Sequence, residues 1–266
     1  MPTDTHRFPA DGPVHLHLRS GRGSVQVIAG DTTETVVDVT SGHDAPQARV
    51  SASDDGRRVT VDVRHRRLGN TPRLDIVVRI PTASTVDLGT ASASITTRGV
   101  LARADAKTAS GLLSIEQVDG PCSAHSASGQ IELGTVGGTV SLKSASGDLR
   151  VARAGDACTA RTASGAIDIG WAGDLVTASS ASGDVTVRDA ARGEVSCKST
   201  SGDVAIGVRK GTLVWLDLTT VSGRTAQNLL PEDAPHGEGE RLLRVKAKTV
   251  SGNITINPSG ADAAAA

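Results

Sequence analysis

The sequence predicts an all-β protein: a flattened, two-sided parallel β-solenoid of about eight 18-residue coils, preceded by an irregular, β-rich N-terminal cap. Three observations carry this. The dipeptide Ser-Gly, preceded by a small residue and a Ser or Thr, returns every 18 residues, as Thr108-Ala109-Ser110-Gly111, Ser126-Ala127-Ser128-Gly129, Ser144-Ala145-Ser146-Gly147, Thr162-Ala163-Ser164-Gly165 and Ser180-Ala181-Ser182-Gly183. Aliphatic residues recur at fixed offsets from each tetrad. Gly- and Asp-rich pairs fall where a coil must turn, at Asp119-Gly120, Gly137-Gly138, Gly155-Asp156 and Gly173-Asp174. A period of this length marks a repeat architecture.

With the tetrad Ser before Gly as zero, offset 3 holds Leu113, Ile131, Leu149, Ile167, Val185 and Val204. Offset 5 holds Ile115, Leu133, Val151, Ile169, Val187 and Ile206, and offset 8 holds Val118, Val136, Ala154, Ala172 and Ala190. Offsets 12 and 14 hold the pairs Cys122/Ala124, Val140/Leu142, Cys158/Ala160, Val176/Ala178 and Val195/Cys197, and offset 17 is the small tetrad residue. The pattern 3, 5, 8 thus returns as 12, 14, 17, so each unit is two nine-residue halves. Alternation over three residues is a strand with one buried face, and the third apolar residue marks a corner. A triangular left-handed helix would need apolar residues at one phase of six, which these offsets lack. An antiparallel meander could use the same strands, but identical residues at a fixed period favour parallel stacking of like on like.

The N-terminal region, 13–88, has no 18-residue period but is rich in strand candidates, at 14–18, 24–28, 35–39, 48–53, 58–63 and 74–80. Asp54-Asp55-Gly56 signals a hairpin. This region is expected to lead into the solenoid and cover its first coil, because an uncovered coil exposes a sheet edge. The repeats then occupy 89–257. Their spacing stretches to 19 at Ser201, 21 at Ser222 and 29 at Ser251, the last gap holding a polar, Pro-rich loop at 231–240. Strands at 242–248 and 253–257 resume the pattern, and 258–266 reads as a flexible tail.

Composition narrows the function. Aromatic content is 1%, confined to Phe8, Trp171 and Trp215, which argues against sugar or base recognition by stacking. A net charge of −1 gives no global attraction to nucleic acid. Three cysteines make no disulfide framework. No basic segment followed by an apolar stretch opens the chain, and no run approaches the ~20 apolar residues of a transmembrane helix, so a cytoplasmic protein is expected.

The phrase Ser-Gly-x-[Ile/Val]-x-[Ile/Val], after an irregular β N-terminus, resembles a bacterial β-strand-repeat family of unknown function described as candidate adhesins, over roughly residues 14–257. The resemblance implies a β-solenoid linked to the cell envelope, and it carries over no catalytic residues.

The candidate site is an outward column at offset 15. It holds Lys107, His125, Lys143, Arg161, Lys198 and Lys248, with Ser179 and Thr219 in the same column. Stacked cations ~4.8 Å apart repel by about 1 kcal/mol in water, so such a stripe invites an anionic partner. Glu116, Glu132, Asp148, Asp168, Asp184 and Asp203 are placed on the outer face of the other strand, at differing offsets. His15 and His17 share a strand face at metal-binding spacing, with no third ligand nearby. Cys122, Cys158 and Cys197 are expected inside as small core residues, Cys122 and Cys158 being two coils (~9.6 Å) apart and so beyond disulfide reach. No catalytic group, cofactor or metal is expected. The expected function is a non-enzymatic scaffold or protein-interaction, adhesin-like module binding an unidentified protein or an anionic partner. A self-assembling filament joined through solenoid ends, and a polysaccharide-active parallel β-helix enzyme, are the alternatives.

Overall fold

A computed structural model describes residues 2–41, 48–63, 73–229 and 241–259. The Pro-rich loop at 231–240 and the tail beyond Ser259 lie outside the described residues. Contacts divide the chain into two compact units, Met1–Gly134 and Thr135–Ala266.

In the first unit the chain builds two parallel ladders. β2 (His15–Ser20) lies between β6 (Arg58–Val63) and β8 (Ser84–Thr90). β3 (Arg22–Gly30) lies between β7 (Arg73–Pro81) and β9 (Ser94–Thr108). The 15-residue β9 serves both ladders: its first half pairs with β10 (Leu113–Val118), its second with β8 and β11 (Cys122–Ser126). The unit closes within β12 (Ile131–Val136). β9 bends at Gly99, whose φ of 80° is open to glycine and where a Cβ would sit 2.1 Å from the Ala29 carbonyl oxygen. Ile76, Val25, Ile95 and Leu113 fall in one register column, and Val59, Leu16, Val86, Ala104 and Cys122 in another, all buried. The N-terminal region expected to be irregular contains regular parallel rungs as well as antiparallel strands. β4 (Glu34–Ser41) pairs antiparallel with β7, and β1 (Thr3–Pro9) with β4. β5 (Ala48–Ala52) pairs antiparallel with β6 through the predicted Asp54-Asp55-Gly56 turn.

In the second unit, one ladder runs β14 (Leu149–Ala154), β16 (Ile167–Ala172), β18 (Val185–Ala190), β20 (Val204–Val208). The other runs β13 (Val140–Lys143), β15 (Cys158–Arg161), β17 (Val176–Ser179), β19 (Gly193–Lys198). All these pairings are parallel, with like offsets opposite one another. The chain then leaves rung order. β23 (Arg241–Thr249) lies between β19 and β21 (Thr212–Thr220), and β24 (Ile254–Pro258) lies between β20 and β22 (Thr225–Gln227). The final coil in sequence is therefore the penultimate rung in space. The reason is burial: β24 brings Ile254 and Ile256 to the core positions, where both are inaccessible, whereas β22 brings Thr225 and Gln227, which are exposed. Aliphatic side chains gain most when covered from both sides. The Ser259 hydroxyl donates to Asp189, 2.9 Å away, and the buried Asp189 also takes the Arg209 guanidinium, fastening the inserted rung to β18.

The tetrad has a mechanical reason. Its first hydroxyl accepts a hydrogen bond from the tetrad Gly N–H, for example Gly183 to Ser180 at 2.9 Å and Gly202 to Ser199 at 3.0 Å. The same hydroxyl donates to the Gly carbonyl of the neighbouring rung, Ser180 to Gly165 and Ser199 to Gly183, each at 3.0 Å. One Ser or Thr thus closes the turn and ties two rungs. Gly is required by close approach, since a Cβ at Gly183 would stand 1.9 Å from the Gly165 carbonyl oxygen.

Candidate interaction face

Alternation along β13, β15, β17, β19, β23 and β21 turns every second side chain outward. In the second unit the offset-15 column is continuous in register: Lys143 opposite Arg161, then Ser179, Lys198, Lys248 and Thr219. Lys143, Arg161, Lys198 and Lys248 are exposed, and among the described residues none has a carboxylate partner. In the first unit the column holds Asp62, Arg19, Gly89, Lys107 and His125. His125 shares a hydrogen bond with the Ser123 hydroxyl at 3.1 Å, and Lys107 is exposed.

Two residues inward along each strand runs a parallel column. In the second unit it is Ser141, Thr159, Thr177 and Ser196, then Lys246 and Asp217. The four hydroxyls have no hydrogen-bond partner among the described residues. Sequence reasoning passed over this column, although Ser or Thr recurring one place after offset 12 was the available signal. In the first unit the equivalent column is Thr60, His17, Asp87, Asp105 and Ser123. There the charges pair. Asp87 receives Arg19 Nη2 at 3.1 Å on both oxygens and His17 Nδ1 at 3.0 Å, and Arg103 Nε reaches Asp105 at 2.9 Å. Partial burial disfavours ionised Asp87, but the Arg19 hydrogen bond and charge, with His17, outweigh it and hold the carboxyl below its usual range. His17 is thereby engaged, and His15, its strand neighbour, lies between Arg58 and Thr85.

The six outward acids are all in use. Glu116 accepts from the Gly99 N–H at 3.0 Å, and Glu132 from the Gln130 amide at 2.7 Å. Asp148, Asp184 and Asp203 each accept the backbone N–H of the neighbouring rung, from Ala166, Asp203 and Asn253 at 2.9, 2.8 and 2.7 Å. Asp168 takes Arg188 Nε at 2.8 Å. Apart from the Gln130–Glu132 contact within one rung, these carboxylates knit neighbouring rungs together. The three cysteines are free and buried, and burial pushes each thiol up from 9.0 to about 12.

A family model described as Toastrack DUF4097 matches residues 14–257. The chain belongs to this family. The family's name carries no activity, and the solved structures similar to the chain are distant. A candidate adhesin from Bacteroides fragilis NCTC 9343 is 11% identical, covering 96% of this chain and 97% of that one, with a TM-score of 0.48. A candidate lipid-binding protein from Parabacteroides distasonis ATCC 8503 is 12% identical, covering 96% of both chains, with a TM-score of 0.46. A candidate adhesin from the same strain is 11% identical, covering 94% of this chain and 97% of that one, with a TM-score of 0.38. No curated protein matches the chain. No helix is long and apolar enough to cross a membrane among the described residues.

Proposed function

We propose that this Toastrack family member is a non-enzymatic interaction module that binds an anionic partner on the outward face of β13, β15, β17, β19, β23 and β21. The observation that carries the reading is the register column of Lys143, Arg161, Lys198 and Lys248, exposed and without acidic partners among the described residues. A like-charge ladder opposes folding slightly, and a bound anion turns that repulsion into affinity. The use of five of the six outward acids as rung ties speaks for a scaffold and against paired carboxylates acting on a glycosidic bond. Substituting Lys143, Arg161 and Lys198 by Glu is expected to abolish partner capture while leaving the circular dichroism spectrum unchanged. Unchanged capture would remove this face from consideration.

One observation favours a second reading, self-association through the last rung. Among the described residues nothing pairs with the outer edge of β21 or β22, and Leu213 and Trp215 on β21 are 44% and 50% exposed. An unpaired edge is a template for another strand. Light scattering across a concentration series should then show growth; a constant mass would dispose of this reading.

A further inference from the structure

The face just described carries two parallel columns, and their combination specifies a ligand class. We infer that the face binds an acidic polysaccharide laid along the rung axis, its carboxylates on the Lys/Arg column and its hydroxyls on the Ser/Thr column; the inference rests on the interaction-module reading. Along the outward positions of these six strands stand six cations against two carboxylates, Glu194 and Asp217. Glu194 is occupied by Lys246 at 2.9 Å. The face is therefore positive on a chain whose net charge is −1.

The hydroxyl column beside the cations selects among polyanions. Rungs repeat every ~4.8 Å. Lys143 and Arg161 stand on adjacent rungs, Arg161 and Lys198 two rungs apart, and Lys198 and Lys248 adjacent again. The cations therefore fall at about 0, 4.8, 14.4 and 19.2 Å along the rung axis, a row that a polyanion can follow. The hydroxyls of Ser141, Thr159, Thr177 and Ser196 stand ~6.8 Å inward of the cations and have no partner among the described residues. Each can donate to and accept from a sugar hydroxyl, which polyphosphate does not offer. Recognition here is by charge and hydroxyl register, which does not call for the aromatic platforms that neutral sugars use.

The test measures binding of the full chain to polygalacturonate, poly-L-glutamate, polyphosphate and neutral dextran by biolayer interferometry at several salt concentrations. Polygalacturonate should bind at least tenfold more tightly than poly-L-glutamate or polyphosphate, weaken with salt, and leave dextran unbound. The variant K143Q/R161Q/K198Q/K248Q should lose binding at least a hundredfold. Thr159→Val with Thr177→Val should lower affinity for polygalacturonate several-fold and leave polyphosphate binding unchanged. Equal binding of all three polyanions, or a preference for poly-L-glutamate that the charge variant removes, overturns the polysaccharide assignment and leaves the interaction-module reading standing. Absence of binding to every polyanion, with partner capture unaffected by charge reversal, overturns both.

Discussion

The outward columns of residues 15–126 and of residues 140–249 each stack in register and solve one electrostatic problem differently. In the first stretch, carboxylates are closed on by neighbouring cations: Arg19 and His17 close on Asp87, and Arg103 closes on Asp105. In the second, Lys143, Arg161, Lys198 and Lys248 share a column with only Ser and Thr. Stacking identical positions at ~4.8 Å makes any column of one sign self-repelling, so the lattice itself does not produce this distribution. Paired charges serve the fold, and an unpaired column is free to serve a partner.

The largest effect tests whether rungs in both regions meet by the same close approach at glycine. Gly129→Val and Gly183→Val, one in each unit, drive a side chain to within about 2 Å of a carbonyl oxygen on the neighbouring rung, Gly111 and Gly165 respectively. Each should cost on the order of 4 kcal/mol or prevent folding, read by urea unfolding. Tolerance at either site would mean that the two regions stack differently.

Alkaline pH probes the interiors of both regions. The thiols of Cys122 in one unit and Cys158 and Cys197 in the other are pushed from 9.0 to about 12 by burial. A raised folded value means that the fold favours the neutral thiol. The thiols' contribution to stability is therefore fully present below pH 9.0 and is lost as pH rises towards about 12. Cys197→Ala should reduce that fall, and a bulky thiol reagent should label the native protein far more slowly than the unfolded chain. Fast native labelling would refute the inward register.

The smallest effects sharpen the contrast directly. Asp87→Asn should destabilise by about 1 kcal/mol at neutral pH, modest because Arg19, His17 and Asp87 are each at least a third exposed. Its carboxyl is held low, so its contribution is present above the ordinary 3.8 and is lost as pH falls through the lowered value. Thr159→Asp with Thr177→Asp grafts the paired pattern onto the unpaired face. It should change stability by only a few tenths of a kcal/mol, yet weaken anion binding at least tenfold. Unchanged binding would mean that the face carries no anion.

Much of this was legible in the sequence for a physical reason: a repeat that stacks on itself must put the same residue type at the same height. The inward aliphatic offsets, the buried cysteines and the offset-15 column all follow. The hydroxyl column was equally periodic and went unread because its residues are small and uncharged. The rungs built by 15–30, 58–63 and 73–81 carry no 18-residue period, so their parallel pairing could not be read from spacing. Nor could the ion pair of His17 with Asp87, 70 residues away.

By itself, then, the sequence determined the coil: two strands, inward aliphatics, and a Ser/Thr-x-Ser-Gly corner in which a hydroxyl and a missing Cβ let rungs meet. Only the tertiary structure decided the order of the rungs. Thr220-Val221-Ser222-Gly223 and Thr249-Val250-Ser251-Gly252 are the same phrase, and local geometry accepts either at either height. What separates them is covering from both sides: Ile254 and Ile256 are buried by it, while Thr225 and Gln227 tolerate the open edge.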